Sequence, residues 1–181
     1  RPYFRTGLSA DDKSDESPVT AADRKAEQVL RAALAEATPD FGIIGEEFPA
    51  HNPDAKYVWV TDPIDGTRAF ITGRTSFTTL LGLLEDGVPV LGFIDQPITR
   101  ERWWGGRGIP AGFSGDLGGV PGTRQAVNLA QAELSATSPE MIAGAGDNAV
   151  RRFNQLRHAA KRIYWGGDAY SCLLYTSDAA D

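Results

Sequence analysis

Two long apolar segments, residues 77–84 and 88–94, stand on either side of Glu85-Asp86-Gly87. An Asp-Gly pair between two apolar segments is a strong signal for a β-hairpin. Residues 102–104, which read Arg-Trp-Trp, are expected to add a further strand to this pair. The sequence therefore predicts an antiparallel meander in the middle of the chain.

A helix is predicted on each side of this meander. Apolar residues recur at helical spacing from Thr20 to Ala37, and Pro39-Asp40 ends that helix. The second candidate helix is residues 148–160, and residues 9–18 are predicted to form a polar loop or hairpin tip. Residues 105–123 are rich in Gly and Pro and are predicted to be a loop, and short strands are predicted at residues 41–44, 57–61, 135–138 and 163–165. This order of elements predicts an α+β fold built in layers.

Composition excludes several classes of protein. The 181 residues are 41% hydrophobic and 23% charged, which is typical of a globular domain and excludes disordered and collagen-like chains. The net charge of -6 argues against a nucleic-acid partner, which requires a basic face. No apolar run approaches the ~18 residues that a membrane span needs, so no membrane partner is expected. The single cysteine, Cys172, favours a reducing, cytoplasmic location.

An acidic motif follows the strand predicted at residues 57–61, namely Asp62-Pro63-Ile64-Asp65-Gly66-Thr67. Pro63 is expected to stop the strand because it has no amide hydrogen, so that Asp62 and Asp65 converge on one point. Oxygen ligands without a nearby His or Cys favour Mg²⁺ or Mn²⁺ over zinc. With Thr67 as its cap, a helix starting here would offer the Gly66 and Thr67 amides to an anion. A metal site beside an anion site indicates a phosphate ester as the substrate.

The same acids also have a plainer interpretation. Asp and Pro are common in turns, so Asp62 and Asp65 alone are compatible with a simple turn. Glu46 alone would be a solvated charge, and Asp23 alone would be a helix cap. Glu46, however, also follows a predicted strand, and strand ends are where α/β proteins place their sites. Acids at the ends of several adjacent elements together favour a metal site.

These segments resemble, in chain order, the motifs of the inositol monophosphatase superfamily of Mg²⁺-dependent phosphatases. The resemblance covers about residues 1–170 and implies a layered α/β sandwich of the inositol monophosphatase and sugar phosphatase type. Residues 95–103 and 165–170 look most like the histidinol-phosphate phosphatase branch. The matching motifs are residues 17–23, Gly45-Glu46-Glu47, the whole of residues 62–67, and Gly166-Gly167-Asp168.

The resemblance implies a role for each residue of these motifs. It implies two or three Mg²⁺ ions, with Mn²⁺ as an alternative. Glu46, Asp62 and the Ile64 carbonyl would bind the first metal. Asp62 and Asp65 would bind the second, and Glu46 would also contact a weaker third ion. The catalytic residues would be Asp23, Thr67 and Glu46, of which Asp23 and Thr67 orient and deprotonate the attacking metal-bound water. The substrate would be bound by Asp65, by the Gly66 and Thr67 amides, and by Asp168 at its organic part.

The resemblance also predicts how the chain is divided. Residues 1–125 would form an N-terminal α+β metal-binding domain, residues 126–172 the start of a C-terminal α/β domain, and residues 173–181 a non-native tail. The family normally continues with a Trp-Asp or Tyr-Asp motif that supplies another ligand of the second metal, and nothing here matches it. We therefore expect a truncated chain with an incomplete C-terminal layer, weak Mg²⁺ binding and turnover of phosphate esters that is slow or absent. The full-length protein is expected to be a homodimer.

The predicted function is that of a Mg²⁺-dependent phosphomonoester hydrolase, with histidinol-phosphate phosphatase of histidine biosynthesis as the first interpretation. The alternatives are an inositol monophosphatase or a related sugar or nucleotide phosphatase, because the contacts that discriminate substrates lie outside the shared motifs. A non-catalytic fragment that binds metal or phosphate is the third interpretation. The expected partner is a small-molecule phosphate ester.

Overall fold

The structure, a computed structural model, describes residues 3–5, 10–12, 18–116 and 128–176. It confirms the predicted α+β class, with a central sheet and helices packed in layers. In chain order its elements are β1 (Ala10–Asp12), β2 (Pro18–Thr20), α1 (Ala21–Ala37), β3 (Gly42–Gly45), β4 (Tyr57–Asp65), α2 (Thr67–Ile71), β5 (Thr78–Glu85), β6 (Val88–Gln96), β7 (Glu101–Gly106), β8 (Ile109–Ser114), β9 (Glu133–Ala136), α3 (Pro139–Ala143), α4 (Asp147–Ala159), β10 (Arg162–Trp165) and α5 (Asp168–Thr176).

The main sheet has six strands in the order β3-β4-β5-β6-β7-β8. β3 runs parallel to β4, and each later neighbour is antiparallel. The predicted hairpin is present, because Glu85 pairs with Val88 and the backbone of Asp86 and Gly87 turns between them. Both turn residues have positive φ, 49° and 78°, which is the conformation that Asp and Gly accept most readily in a tight hairpin. The meander prediction is confirmed.

The loop predicted at residues 105–123 is wrong in its first half. The chain turns at Arg107-Gly108, with Gly108 at a φ of 71°, and returns as β8. β8 lies at the sheet edge, where Pro110 is tolerated because an edge strand has amides that need no partner. A Cβ on Gly112 would lie 2.2 Å from the Trp104 ring, so the glycine that suggested a loop lets the two strands pair. Residues 117–123 lie outside the described residues.

The end predicted for the strand at Asp62-Pro63 is also wrong. β4 continues to Asp65, with a shift of register between Asp62 and Asp65. Such a bulge interrupts the ladder, so the missing amide hydrogen of Pro63 costs no strand pairing there. The Pro63 carbonyl still accepts a hydrogen bond from Thr79 Oγ1 at 2.7 Å. The bulge therefore carries both acids of the motif on one continuous strand.

A smaller layer follows the main sheet. β9 and β10 form a parallel pair, and α3 and α4 make the connection between them. α5 then packs against β9 and β6, which brings the two layers together. Positions 125 and 126, where the domain boundary is predicted, lie outside the described residues, as do positions 177–181 of the predicted tail. In the described ranges no helix has the length and apolar character needed to cross a bilayer.

An aromatic cluster fixes the position of the acidic motif. Ile64, Phe70 and Phe77 are buried together with Ala22 of α1, and Phe4 packs against them. The rings of Phe70 and Phe77 meet edge to face with centroids 4.9 Å apart, a favourable aromatic geometry. Ile64 lies between Asp62 and Asp65 in the sequence. Burial of its side chain in this cluster therefore fixes the position of the backbone that carries both acids.

Candidate active site

Asp62 lies in β4 with other carboxylates around it. Burial, followed by the charges of Glu46, Asp65 and Asp23 in that order, raises its pKa from 3.8 to about 7. The Ile64 amide opposes this effect, since it donates a hydrogen bond to Asp62 Oδ1 at 3.2 Å. A carboxyl group that is costly to ionise among like charges is typical of functional sites.

Asp65 is held by groups from two distant parts of the chain. Its Oδ2 accepts a hydrogen bond from the Ala169 amide at 2.8 Å and another from Thr78 Oγ1 at 3.4 Å. Burial raises the pKa of Asp65, as do the charges of Asp168 and Glu46, while the two hydrogen bonds lower it. The start of α5 is therefore attached directly to the motif at the end of β4.

The prediction that Thr67 caps a helix is wrong. The N-cap of α2 is Gly66, which has a left-handed backbone with a φ of 79° and caps without a side chain. Thr67 Oγ1 instead donates to the Ile64 carbonyl at 3.1 Å. The hydroxyl predicted to orient water is thus tied to the carbonyl predicted to bind metal. A Cβ at Gly66 would lie 2.8 Å from Asp168 Oδ2, so glycine is needed here for space as well as for its backbone angle.

Asp168 follows an unusual turn. Gly166, Gly167 and Asp168 have φ angles of 87°, 96° and 41°, all in the left-handed region. A non-glycine residue at positive φ is uncommon and marks a conformation that the surrounding structure enforces. A cavity of about 400 Å³ lies next to this turn, and its lining residues are Glu133, Ser135, Ala136, Thr137, Gly166, Asp168, Ser171 and Cys172.

The two remaining acids come from the other side of the site. Asp23 lies in the first turn of α1 and is only 3% exposed. Glu46 directly follows β3, whose parallel neighbour is β4. Both act on the pKa of Asp62. The structure thus places all the predicted site residues in one region, where β3, β4, α1, α2 and α5 approach one another.

Sequence reasoning missed three groups in this region. The Ala169 amide and the Thr78 hydroxyl bind Asp65, and no local pattern in the sequence signals either contact. Glu27 is fully buried and accepts a hydrogen bond from the Glu47 amide. It did carry a signal, because it lies four residues after Asp23 and therefore on the same face of α1.

The donor set fits a hard divalent cation. It consists of carboxylates and one backbone carbonyl, the oxygen ligands that Mg²⁺ and Mn²⁺ prefer. As the side chains stand, no three His, Cys, Asp or Glu groups in the described part of the chain are close enough to enclose an ion. Mutual repulsion opposes a closer approach of the carboxylates. The residues therefore have the right chemistry for a divalent cation and lie near one another, but their side chains do not form a complete coordination site.

Comparison with known proteins identifies the family. A sequence profile of the inositol monophosphatase family matches residues 1–176, and the chain belongs to this family. The chloroplastic bifunctional phosphatase IMPL2 of Arabidopsis thaliana is 40% identical over 183 residues, which cover 100% of this chain and 51% of that protein. The histidinol-phosphatase of Mycobacterium tuberculosis is 35% identical over 175 residues, covering 96% of this chain and 67% of that protein.

Comparison with solved structures assigns the fold to the same family. An inositol monophosphatase from Zymomonas mobilis superposes with a TM-score of 0.80 at 47% sequence identity, covering 97% of this chain and 65% of that one. The present chain therefore spans about half to two thirds of the length of these relatives.

Proposed function

We propose that this chain is the metal-binding part of a Mg²⁺-dependent phosphomonoesterase. Members of its family are phosphatases, and the family typically uses Mg²⁺. The observation that carries the proposal is Asp62, whose pKa is raised to about 7 by burial and by three neighbouring acids. Like charges kept together at a half-buried strand end destabilise the fold unless a cation offsets them.

Glu46, Asp62, Asp65 and the Ile64 carbonyl are the groups that would hold the ions. Bound Mg²⁺ supplies a hydroxide-like nucleophile near neutral pH and neutralises charge that develops on the phosphoryl oxygens. Asp65 is already oriented for this role, because the Ala169 amide fixes one of its oxygens at 2.8 Å. The charges of Glu46 and Asp65 both raise the pKa of Asp62, so Asp62 is the carboxylate that would be suited to share ions with each of them.

Thr67 and Asp23 would direct the attacking water. The Thr67 hydroxyl donates a hydrogen bond to the Ile64 carbonyl, which leaves its oxygen lone pairs available to accept a hydrogen bond from that water. The Asp23 carboxylate would accept a proton from that water as the water oxygen attacks phosphorus. The bond from phosphorus to the ester oxygen would then break, and the leaving alkoxide would take up the proton held by Asp23 and depart as the alcohol, while the Gly66 and Thr67 amides hold the phosphoryl oxygens.

Histidinol phosphate is the first candidate substrate. The Mycobacterium tuberculosis relative is a histidinol-phosphatase, and its similarity extends over 96% of this chain. The ammonium group of such a substrate fits the Asp168 carboxylate, which lines the cavity beside the motif. This assignment would place the protein in histidine biosynthesis.

An inositol phosphate is the second candidate. The Zymomonas mobilis structure with 47% identity is that of an inositol monophosphatase. The same cavity is also lined by Ser135, Thr137 and Ser171, residues whose hydroxyl groups suit the hydroxyls of a polyol. The two candidates therefore differ in whether charge or hydrogen bonding selects the organic group.

A phosphate-release assay tests both candidates. Histidinol phosphate and inositol 1-phosphate are compared at saturating Mg²⁺ and in excess chelator, and kcat/KM is measured for each. We expect hydrolysis that depends on Mg²⁺, with histidinol phosphate preferred at least ~10-fold. Asp168→Asn should reduce that preference, because it removes the charge that the ammonium group meets. Absence of Mg²⁺-dependent hydrolysis with both esters would contradict the proposal, and Mg²⁺ binding alone would favour a non-catalytic binding protein.

A further inference from the structure

A buried carboxylate of α1 lies beneath the segment that carries Glu46. Glu27 is 0% exposed, and both of its oxygens have partners. Oε1 accepts a hydrogen bond from Arg31 Nε at 2.7 Å, and Oε2 accepts one from the Glu47 amide at 2.7 Å. A buried charge is tolerated only when it is paired in this way, so the position of Glu27 is tightly determined.

The segment after β3 is held on both sides of Glu46. A Cβ on Gly45 would lie 2.1 Å from Glu27 Oε1, so the backbone packs directly on the carboxylate and only glycine fits. After Glu46, the Glu47 amide is bound to Glu27. Arg31 adds a third attachment, because its Nη2 donates to the Phe48 carbonyl at 3.0 Å. These contacts leave the backbone of Glu46 little freedom.

The same helix face also carries Asp23. Asp23 precedes Glu27 by four residues, which is about one helical turn. Both are buried, and Asp23 acts on the pKa of Asp62. One face of α1 thus presents one acid to the site and holds the backbone of a second, so movement of this helix would shift both together.

We propose that Glu27, paired with Arg31, is a positioning residue that holds Glu46 in place for metal binding. This inference rests on the proposed function, since it concerns the same metal site. Both Glu27 oxygens are occupied by Arg31 and the Glu47 amide, so Glu27 acts through that amide rather than as a metal ligand. Groups that orient metal ligands in this way typically change metal affinity or activity by about 10–100-fold when they are removed.

Glu27→Gln is the direct test. Two hydrogen-bond donors converge on the Glu27 oxygens, whereas a glutamine side chain has one acceptor oxygen and would turn its own NH₂ group toward a donor. We expect the dissociation constant for Mg²⁺, measured by calorimetry on the full chain, to rise at least ~10-fold. The Mg²⁺ concentration for half-maximal phosphate release should rise in parallel, while KM for the ester at saturating Mg²⁺ stays unchanged. Glu36→Gln, at an exposed position of the same helix, is the matched control and should leave all three values unchanged.

A purely structural role for Glu27 gives a different result. The variant would then melt at a lower temperature but bind Mg²⁺ with the wild-type dissociation constant below its transition, and that result overturns the inference. If Glu27→Gln does not fold, Arg31→Met is the second variant, because it keeps the bond between Glu27 and the Glu47 amide. It should weaken Mg²⁺ binding by a smaller factor, and wild-type affinity in a folded Arg31→Met variant overturns the inference as well.

The experiment also separates the inference from the proposed function. A wild-type chain that binds no Mg²⁺ refutes both. A wild-type chain that binds Mg²⁺, together with a Glu27→Gln variant that binds it equally well, refutes only the positioning role.

Discussion

At the scale of single residues, Asp62 is the group in which stability and function oppose each other. Its pKa in the folded chain, about 7, lies above the ordinary value of 3.8, mainly because of burial. Its contribution to stability is therefore fully present below about pH 4 and is lost as pH rises through about 7. Close to neutral pH the ionised side chain destabilises the metal-free fold and at the same time becomes available to a cation.

A first prediction follows for the metal-free chain. In excess chelator its melting temperature should fall as pH is raised from about 4 to about 7, because in that interval the unfolded chain has released the Asp62 proton while the folded chain still holds it. Asp62→Asn should remove part of this slope and melt at a higher temperature than wild type at about pH 8. Thermal melts followed by circular dichroism measure both effects. The exposed Asp54→Asn is the control, and a wild-type slope in the Asp62 variant would contradict the assigned pKa.

The same substitution has the opposite effect on activity. Asp62→Asn should reduce Mg²⁺-dependent phosphate release by ~100-fold or more, because it removes the charge proposed to touch both ions. The measurement is kcat/KM at saturating Mg²⁺ for wild type, Asp62→Asn and Asp54→Asn. Activity retained in the Asp62 variant would exclude its bridging role.

Many of the candidate site residues can be predicted from the sequence alone, and those that cannot are missed for physical reasons. Asp23, Glu46, Asp62 and Asp65 are predicted from local signals, because they lie beside turn residues or at the ends of predicted elements, whereas Asp168 is implied only by the family resemblance. The cap role of Thr67 was wrong, since Gly66 reaches a backbone angle that makes a side-chain cap unnecessary. Glu27 was missed because a single acid on a helix face resembles a solvated charge until its burial is known.

At the scale of elements, the junction of β4 and α2 depends on the aromatic cluster beneath it. Phe70→Ala should lower the free energy of unfolding by about 3–5 kcal/mol, because Phe70 is 5% exposed and packs edge to face on Phe77. Urea titration measures the loss. Met141→Ala, at a position that is 64% exposed, should change it by less than about 0.5 kcal/mol. A similar loss in both variants would mean that the cluster does not stabilise this junction specifically.

The attachment of α5 gives a second prediction at this scale. The Tyr170 hydroxyl donates to Glu101 Oε2, and Glu101 is only 5% exposed. Burial and this hydrogen bond raise the pKa of Tyr170 to about 12, so its hydroxyl stays protonated as a donor. Tyr170→Phe should cost about 1–3 kcal/mol, because it takes a partner from a buried carboxylate. Exchange of the Ala169 amide hydrogen should also become faster.

A double-mutant cycle checks the assignment. Tyr170→Phe, Glu101→Gln and the double variant are compared by urea titration, and the coupling energy isolates the contact between the two side chains. Additive effects would show that the two side chains act independently and that α5 is held by other contacts.

Element prediction succeeded where the pattern was local and regular. α1, the hairpin of β5 and β6, and α4 were placed within a residue or two of their observed bounds. β8 was missed because Gly112 and Pro110 look like loop residues, although one leaves room for Trp104 and the other lies on an edge strand. The end of β4 was misplaced because a bulge lets a strand accommodate proline.

At the scale of the whole molecule, the site is assembled from distant parts of the chain. The Ala169 amide and Asp65 are 104 residues apart in sequence and are joined by one hydrogen bond. Such a contact depends on how α5 docks against β9 and β6, and no periodicity in the sequence encodes that docking. The layered α+β class was predictable from the order of elements, whereas the meeting of its two layers at Asp65 was not.

The central claim is that Glu46, Asp62 and Asp65 bind divalent cations together. A crystal of the chain grown with Mn²⁺, measured with anomalous scattering, tests it directly. We predict anomalous peaks about 2.1–2.3 Å from oxygens of Asp62, with Glu46 or Asp65 completing the coordination of each ion. If the crystal at saturating Mn²⁺ shows no anomalous peak at these three side chains, or shows peaks only at other acidic residues, the account is contradicted.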